Sequence, residues 1–190
     1  MTRCAWVKPT EQLAIDYHDT EWGVPVHDDR KLFEFLVLDA FQAGLSWNTI
    51  LRKRENFRAA FHNFEAAVIA NYTDDYIAQL LQNEGIIRNR LKVYATVNNA
   101  QRFLQVQTEF GSFDHYIWQF TQHRTLVNQW ERLNQIPAKT AQSDAMSKDL
   151  QQRGFKFVGS TICYAFMQAA GMVNDHTTDC FRYNLPAYEK

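Results

Sequence analysis

The sequence predicts an all-α protein. Apolar side chains recur three and four residues apart in several segments, as they do on the buried face of a helix. Val and Ile show little of the alternation with polar residues that marks a β-strand. Glycines and helix-capping residues separate the apolar segments. Because no internal repeat is evident, we expect one helical unit over residues 1–190, which could divide into two lobes.

The start and stop signals of each helix can be followed along the chain. Asp28 or Asp29 can cap a helix that ends before Gly44, and Ser46 can cap the next one. Asp39 lies on the apolar face of the first of these helices. The predicted helices cover residues 11–17, 31–43, 46 to 51 and beyond, 76–82, 89–108, 114–120, 143–153 and 159–171, with a turn or short helix near 57–64 and loops elsewhere.

Composition indicates a globular chain and limits its partners. The 190 residues are 46% hydrophobic and 14% aromatic, which is enough to bury a core. No run is long enough to cross a membrane, and the N-terminus does not resemble a signal peptide, so we expect a cytoplasmic monomer with no membrane partner. In such a reducing compartment the three cysteines stay unpaired. The net charge of −1 means that nucleic-acid binding would depend on local patches.

Residues 147–171 predict two helices joined by a short hairpin. Gly154 can end the first helix and Gly159 can open the second, which Ser160 or Thr161 could cap. The free N–H groups at the start of that helix could seat a phosphate, with Lys156 and Arg153 adding positive charge. An ordinary helical hairpin within a bundle explains the same pattern equally well.

Two cysteines and two histidines near the chain ends form a candidate metal site. Thiolate and imidazole ligands suit tetrahedral Zn²⁺, and four protein ligands would leave no open position for water, so the zinc would be structural. The spacing is not that of a zinc finger, and core cysteines with surface histidines are the alternative. The four residues are Cys4, His18, His176 and Cys180.

Aromatic residues and one carboxylate form a candidate ligand pocket. Asp39 needs a partner or a function because it lies on an apolar helical face. Aromatic rings beside a carboxylate suit a flat, cationic ligand, although each ring alone could be core. The rings are those of Trp6, Tyr17, Trp22 and Trp47. In the turn after Asp39, Gln42 and Leu45 could project as a wedge between stacked bases.

Five motifs resemble one known family. They are CAWV at residues 4–7, YHDTEWGVP at 17–25, QAGLSW at 42–47, KREN at 53–56 and RGFKFVGSTICYAFMQAAGMVNDH at 153–176. These segments are similar to the bacterial 3-methyladenine DNA glycosylase I family of the helix-hairpin-helix superfamily, over nearly the whole chain.

The resemblance implies a fold, a metal and a set of site residues. It implies an all-α protein in which one structural Zn²⁺ per chain, held by Cys4, His18, His176 and Cys180, joins the N- and C-terminal segments. The Gly154–Gly159 hairpin would grip the backbone of double-stranded alkylated DNA. The implied base pocket contains Tyr17, Trp22 and Trp47, with Trp6 nearby.

The implied reaction is hydrolysis of the N-glycosidic bond of 3-methyladenine after base flipping. Asp39 occupies the position of the family's pocket glutamate and would bind the base's amino group and balance its charge. Because aspartate is one methylene shorter, its carboxylate lies about 1.5 Å further back. Asp175 follows the hairpin, where many superfamily members carry a catalytic aspartate, and it could equally orient a metal ligand or hold a loop.

Other functions remain open at the level of sequence. A non-catalytic, zinc-containing binder of damaged DNA would keep the hairpin and the metal but would need no base pocket. A zinc hydrolase is disfavoured because the four ligands fill the coordination sphere. Cys163 as a nucleophile is weaker still, because a cysteine within an apolar helix is usually buried.

Overall fold

In the computed structural model, which describes residues 1–184, the chain is mostly helical, as predicted. Its α-helices within that range are α1 Gln12–Thr20, α2 Asp29–Gln42, α3 Trp47–Ala60, α4 Ala66–Ile69, α5 Asp74–Leu80, α6 Arg90–Phe110, α7 Phe113–Trp118, α8 Ala141–Gln152 and α9 Ser160–Ala169. Short 3₁₀ segments lie at His62–Phe64, Gln119–Thr121 and Leu133–Gln135. None of the helices in this range is long and apolar enough to cross a membrane.

Polar side chains fix where several helices begin. Asp28 accepts a hydrogen bond from the Lys31 amide at 2.8 Å, and Ser46 and Asn89 cap α3 and α6 in the same way. These three starts agree with the sequence prediction. The predicted start of α8 at Ser143 is wrong, because Thr140 is the cap and exchanges hydrogen bonds with Ser143 one turn later.

Helix α2 forms the centre of the core. An unbroken run of its side chains from Leu32 to Phe41 is buried, and the helix packs against α3, α6 and α9. The apolar cluster around it extends from Cys4 to Cys180 and takes buried side chains from each of the nine α-helices given above. Residues on α2 that are not apolar therefore stand out, and Asp39 is one of them.

The described residues contain one small sheet that the sequence did not predict. Strand β1, Leu126–Val127, pairs in parallel with β2, Val173–Asn174, with Leu126 opposite Val173. Two residues per strand are too few to produce a recognisable alternation. The sheet nevertheless joins the segment before α8 to the segment after α9.

Candidate active site and metal cluster

A cavity of about 220 Å³ opens beside α2 and collects the predicted pocket residues. It is lined by Trp6, Tyr17, Trp22, Asp39, Gln42, Trp47, Leu133, Ile136, Ala165, Gln168 and Ala169. The ring centroids of Tyr17 and Trp47 are 5.2 Å apart, as are those of Trp6 and Trp22. The cavity therefore has aromatic walls and one carboxylate.

The Asp39 side chain is buried without compensation. It is 4% exposed, and its Oδ2 atom has no hydrogen-bond partner. Burial raises the pKa of this carboxyl well above its usual range, although the charge of Arg54 opposes the shift. Burial likewise raises the pKa of the Tyr17 hydroxyl. A carboxylate buried in this way is stabilised by any cation or hydrogen-bond donor that enters the cavity.

Two indole groups of the cavity also lack partners. The Nε1–H groups of Trp6 and Trp47 are buried and donate to no acceptor within the described residues. Among the six unpaired buried side-chain polar atoms of that part of the chain, these two and Asp39 Oδ2 belong to cavity residues. Buried polar groups are nearly always hydrogen-bonded, so a concentration of exceptions at one cavity indicates a ligand site.

Five lining residues were missed in the sequence. Ala165, Gln168 and Ala169 form one face of α9, where the i, i+3, i+4 spacing of small and polar residues is the only signal that could have found them. Leu133 and Ile136 come from the short 3₁₀ segment before α8 and the residue that follows it.

The four predicted metal ligands converge although they come from opposite ends of the chain. Cys4, His18, His176 and Cys180 are all buried, and their ligand atoms lie within 4.8 Å of one another. The Sγ atoms lie 3.4 to 3.6 Å from ring nitrogens across the cluster. A tetrahedral zinc with ordinary bond lengths requires about 3.6 Å between sulfur and nitrogen ligands. The residues thus fit the metal.

Both imidazoles are oriented through their second nitrogen. His18 Nδ1 lies 2.8 Å from the Asp19 carboxylate, and His176 Nε2 lies 3.1 Å from the carbonyl oxygen of Trp22. Such contacts fix the ring and its tautomer for metal binding. The hydrogen bond between the two thiols, with further contacts to the two histidines, lowers the pKa of Cys180 and raises that of Cys4, so the pair readily holds one thiolate.

The cysteine and histidine cluster packs against two tryptophans of the cavity. The rings of Trp22 and His176 meet edge to face at 4.6 Å, and those of Trp6 and His18 at 5.4 Å. The position of two cavity tryptophans therefore depends directly on the histidines of the cluster.

Comparison with known proteins agrees with this geometry. The methyladenine glycosylase family model matches residues 6–183. The chain belongs to this family.

Its similarity to individual members of the methyladenine glycosylase family is high over almost the full length. It is 49% identical to DNA-3-methyladenine glycosylase 1 of Escherichia coli (strain K12), covering 96% of this chain and 97% of the relative. It is 48% identical to DNA-3-methyladenine glycosylase of Haemophilus influenzae (strain ATCC 51907 / DSM 11121 / KW20 / Rd), and the match covers 94% of this chain and 96% of the relative.

Solved structures give the same result. A crystal structure of 3-methyladenine DNA glycosylase I superposes with a TM-score of 0.93 at 50% identity and covers 96% of this chain and 100% of its own. A variant of 3-methyladenine DNA glycosylase I in complex with 3-methyladenine superposes with a TM-score of 0.92 at 34% identity. This match covers 100% of this chain and 99% of the other chain. The predicted family is confirmed.

The hairpin residues of this family member lie between α8 and α9, and two asparagines of α6 hold them. Asn98 donates to the Gly154 carbonyl at 2.9 Å, and Asn99 binds both the amide and the carbonyl of Lys156. Gly154 has a φ of +88°, which favours glycine. The backbone of the connection is therefore held by α6, whereas Lys156 and Gly159 remain exposed to solvent.

Two predictions about the hairpin need correction. Ser160 and Thr161 do not cap α9, because Gly159 occupies the cap position without a side chain and Ser160 pairs with Ser143 at 2.8 Å. Arg153 is not free to add charge, because it forms ion pairs with Glu109 and Asp149.

Asp175 does not line the cavity. Its Oδ1 accepts hydrogen bonds from Asn128 and Trp130, both at 2.7 Å, and its Oδ2 accepts from Tyr164 at 2.6 Å and Gln168 at 2.8 Å. This carboxylate joins α9 to the loop after β1, and no acceptor capacity is left for a substrate.

Proposed function

We propose that this protein is a DNA repair glycosylase that hydrolyses the N-glycosidic bond of 3-methyladenine in alkylated DNA. The observation that carries the proposal is the set of unpaired buried polar atoms, Asp39 Oδ2 and the Nε1 atoms of Trp6 and Trp47, at one aromatic cavity. The names of the relatives, and the 3-methyladenine bound in one of the solved structures, support the same substrate.

The cavity suits a flat cationic base. Methylation at N3 gives the adenine a positive charge, so the glycosidic electron pair leaves with the base and makes it neutral. Tyr17 and Trp47 offer ring faces for stacking, and the Asp39 carboxylate can accept hydrogen bonds from the exocyclic amine. Neutral adenine offers no charge to offset the desolvation of Asp39, so the carboxylate favours the damaged base.

The reaction needs no protonating acid at the base. Bond cleavage leaves an oxocarbenium-like sugar, and water adds to it as the base departs. We assign Asp39 the part of binding the base and balancing its charge. Cys163 is no nucleophile in this scheme, because burial raises the pKa of its thiol to about 12 and the thiol donates to the Val158 carbonyl at 3.3 Å.

We propose that the exposed hairpin between α8 and α9 binds the phosphate backbone of double-stranded DNA. Because Gly159 gives α9 no side-chain cap, the first N–H groups of this helix, which include those of Ser160 and Thr161, keep their capacity for a phosphate oxygen. Lys156 is exposed next to them and adds a positive charge. Gln42 and Leu45, in the turn after α2, are the proposed wedge into the duplex.

We propose that the cysteine and histidine cluster holds one structural Zn²⁺ per chain. All four ligands are supplied by the protein, so bound zinc cross-links the two ends of the chain and supports the tryptophans of the cavity. A zinc hydrolase is disfavoured because four protein ligands leave no coordination position for water. We further propose that residues 1–190 act as one monomeric unit in the cytoplasm, since one apolar cluster connects Cys4 to Cys180.

A base-release assay tests the function. Methylated duplex DNA is incubated with the protein, and the released bases are separated by chromatography. We expect free 3-methyladenine from the wild type, much less from Asp39→Asn, and a substantial rate from the matched variant Asp39→Glu, which keeps the charge. Binding to methylated duplex without release of any base would instead identify a non-catalytic binder of damaged DNA.

A further inference from the structure

The turn that follows α2 has a defined geometry. Ala43 has φ −48° and ψ 115°, Gly44 has a φ of +83°, and the Leu45 amide donates to the Gln42 carbonyl at 2.6 Å. These values describe a type II β-turn with Gln42 first and Leu45 last. Leu45 is 41% exposed, so the turn presents a large apolar side chain at the surface next to the cavity.

A buried lysine from another helix holds this turn. Lys92, in the first turn of α6, is 7% exposed, and its Nζ donates to the carbonyl oxygens of Phe41 and Ala43, both at 2.8 Å. The Phe41 carbonyl lies at the C-terminal end of α2, where the helix dipole attracts a cation. The ammonium is thus bound by backbone carbonyls that belong to the helix end and the turn.

The bond to Ala43 selects the type of turn. Type I and type II turns differ mainly in the orientation of the peptide between their two central residues, here Ala43 and Gly44. The carbonyl of Ala43 belongs to that peptide, so the ammonium of Lys92 holds the peptide in the type II orientation. Release of this carbonyl would let the peptide rotate and would loosen the turn that carries Leu45.

We propose that Lys92 is a positioning residue for base flipping: it fixes the Gln42–Leu45 turn so that Leu45 enters the duplex where the damaged nucleotide leaves. This inference rests on the proposed function. Lys92 is not among the residues that line the cavity and therefore has no direct part in binding the base. Its effect should depend on how firmly the target base is stacked, which a purely structural role would not produce.

The test compares two substrates of the same sequence. One is a duplex with a single 3-methyladenine, and the other is the corresponding single strand, in which moving the base out of the stack costs less free energy. For Lys92→Met we expect excision from the duplex to fall about 10- to 100-fold, the range for misplaced groups remote from the reacting atoms. Excision from the single strand should fall far less. Gly44→Ala disfavours the same turn through its positive φ and should reproduce the pattern.

A double-variant cycle connects the lysine to the wedge. Leu45→Ala should lower the duplex rate, and Lys92→Met should lower it little further in that background, because both changes act through one side chain. Lys53→Met is the matched control: its ammonium donates to the Glu84 carbonyl at 2.8 Å, away from the turn. It removes the same charge and one exposed bond to a backbone carbonyl, and the ratio of the two rates should stay that of the wild type.

Three results would overturn the inference. Equal losses on duplex and single strand for Lys92→Met would mean a general structural role. No loss on either substrate, with an unchanged thermal midpoint, would mean that the turn holds its shape without the lysine. Fully additive effects of Lys92→Met and Leu45→Ala would separate the two residues. Failure of the proposed function itself is recognised independently, because the wild type would then release no base from either substrate.

Discussion

Replacement of Asp175 distinguishes a structural carboxylate from a catalytic one. Its two oxygen atoms accept four hydrogen bonds, from Asn128, Trp130, Tyr164 and Gln168. In Asp175→Ala these donors lose their acceptor inside the protein. In Asp175→Asn the amide oxygen can still accept from Asn128 and Trp130. The new NH₂ group can donate to the Tyr164 hydroxyl and to a reversed Gln168 amide, because both groups can act as acceptors.

The expected magnitudes follow from this count. A donor left without a partner costs about 1 kcal/mol or more when it is buried, as Tyr164 is, and less when it is half-buried, as the other three are. Asp175→Ala should therefore lower the free energy of unfolding by up to about 4 kcal/mol. For a chain of this size that corresponds to a fall in the thermal midpoint of about 8–16 °C. Asp175→Asn keeps most of the hydrogen bonds and should cost only about 1–2 kcal/mol.

Two measurements on the same preparations distinguish a structural from a catalytic role of Asp175. They are thermal unfolding followed by circular dichroism and single-turnover excision of 3-methyladenine. If Asp175 is structural, folded Asp175→Asn should excise the base at a rate within about tenfold of the wild type, whereas loss of a group that acts on the reacting atoms costs about 10²- to 10⁴-fold. A native thermal midpoint for Asp175→Asn together with a rate loss in the larger range would refute the structural assignment.

Three further predictions concern the cavity, the metal cluster and one close backbone contact. Asp39→Asn should lower excision about 10- to 100-fold, the loss expected for one charge-assisted hydrogen bond. Burial raises the pKa of Asp39, and binding of the base needs the ionised carboxylate. As the pH is lowered, the wild-type rate should therefore begin to fall at a pH well above about 3.9, the usual pKa of aspartate, and the variant should not show this dependence. The raised pKa also means that the folded protein loses stability as the pH rises towards it, so Asp39→Asn should be the more stable protein at pH 8 in a thermal unfolding scan. Metal analysis of the purified protein should give about one zinc per chain, and Cys180→Ser should lose the metal together with several degrees of thermal midpoint. Full zinc occupancy of Cys180→Ser would contradict the ligand assignment. Gly171→Ala should prevent stable folding, because a Cβ atom there would lie 2.4 Å from the backbone of Val24 and φ is +68°. Gly111→Ala, with φ +85° and open space around it, is the control and should cost about 1 kcal/mol in a denaturant titration.

Local signals in the sequence were sufficient for much of the fold. Ser46 and Asn89 cap their helices through hydrogen bonds to residues three positions later, so the information lies within one turn of chain. The cavity residues were found for a related reason. A carboxylate on the apolar face of α2 is costly to bury, so it indicates a ligand or partner. The tryptophans near it in the sequence indicated that a flat, cationic ligand could bind there.

Contacts between distant segments account for the errors. Arg153 was expected to support DNA binding, but its guanidinium pairs with Glu109, which lies 44 residues earlier in α6. Leu133 and Ile136 reach the cavity from the 3₁₀ segment at Leu133–Gln135 and the residue after it, a stretch too short to give a recognisable pattern. The role of Lys92 was equally hidden, because its acceptors are backbone carbonyls about 50 residues away and backbone atoms leave no mark in the sequence.

The metal cluster also has a consequence for the order of folding. The contact between Cys4 and His176 closes a segment of 172 residues, and closing so long a loop costs entropy before the contact contributes anything. We therefore expect the four residues to converge late in folding, after the helices between them have assembled. Contacts formed after the transition state slow unfolding without accelerating folding. A metal held there would act on the lifetime of the folded state, so its removal would shorten that lifetime and leave the rate of refolding unchanged.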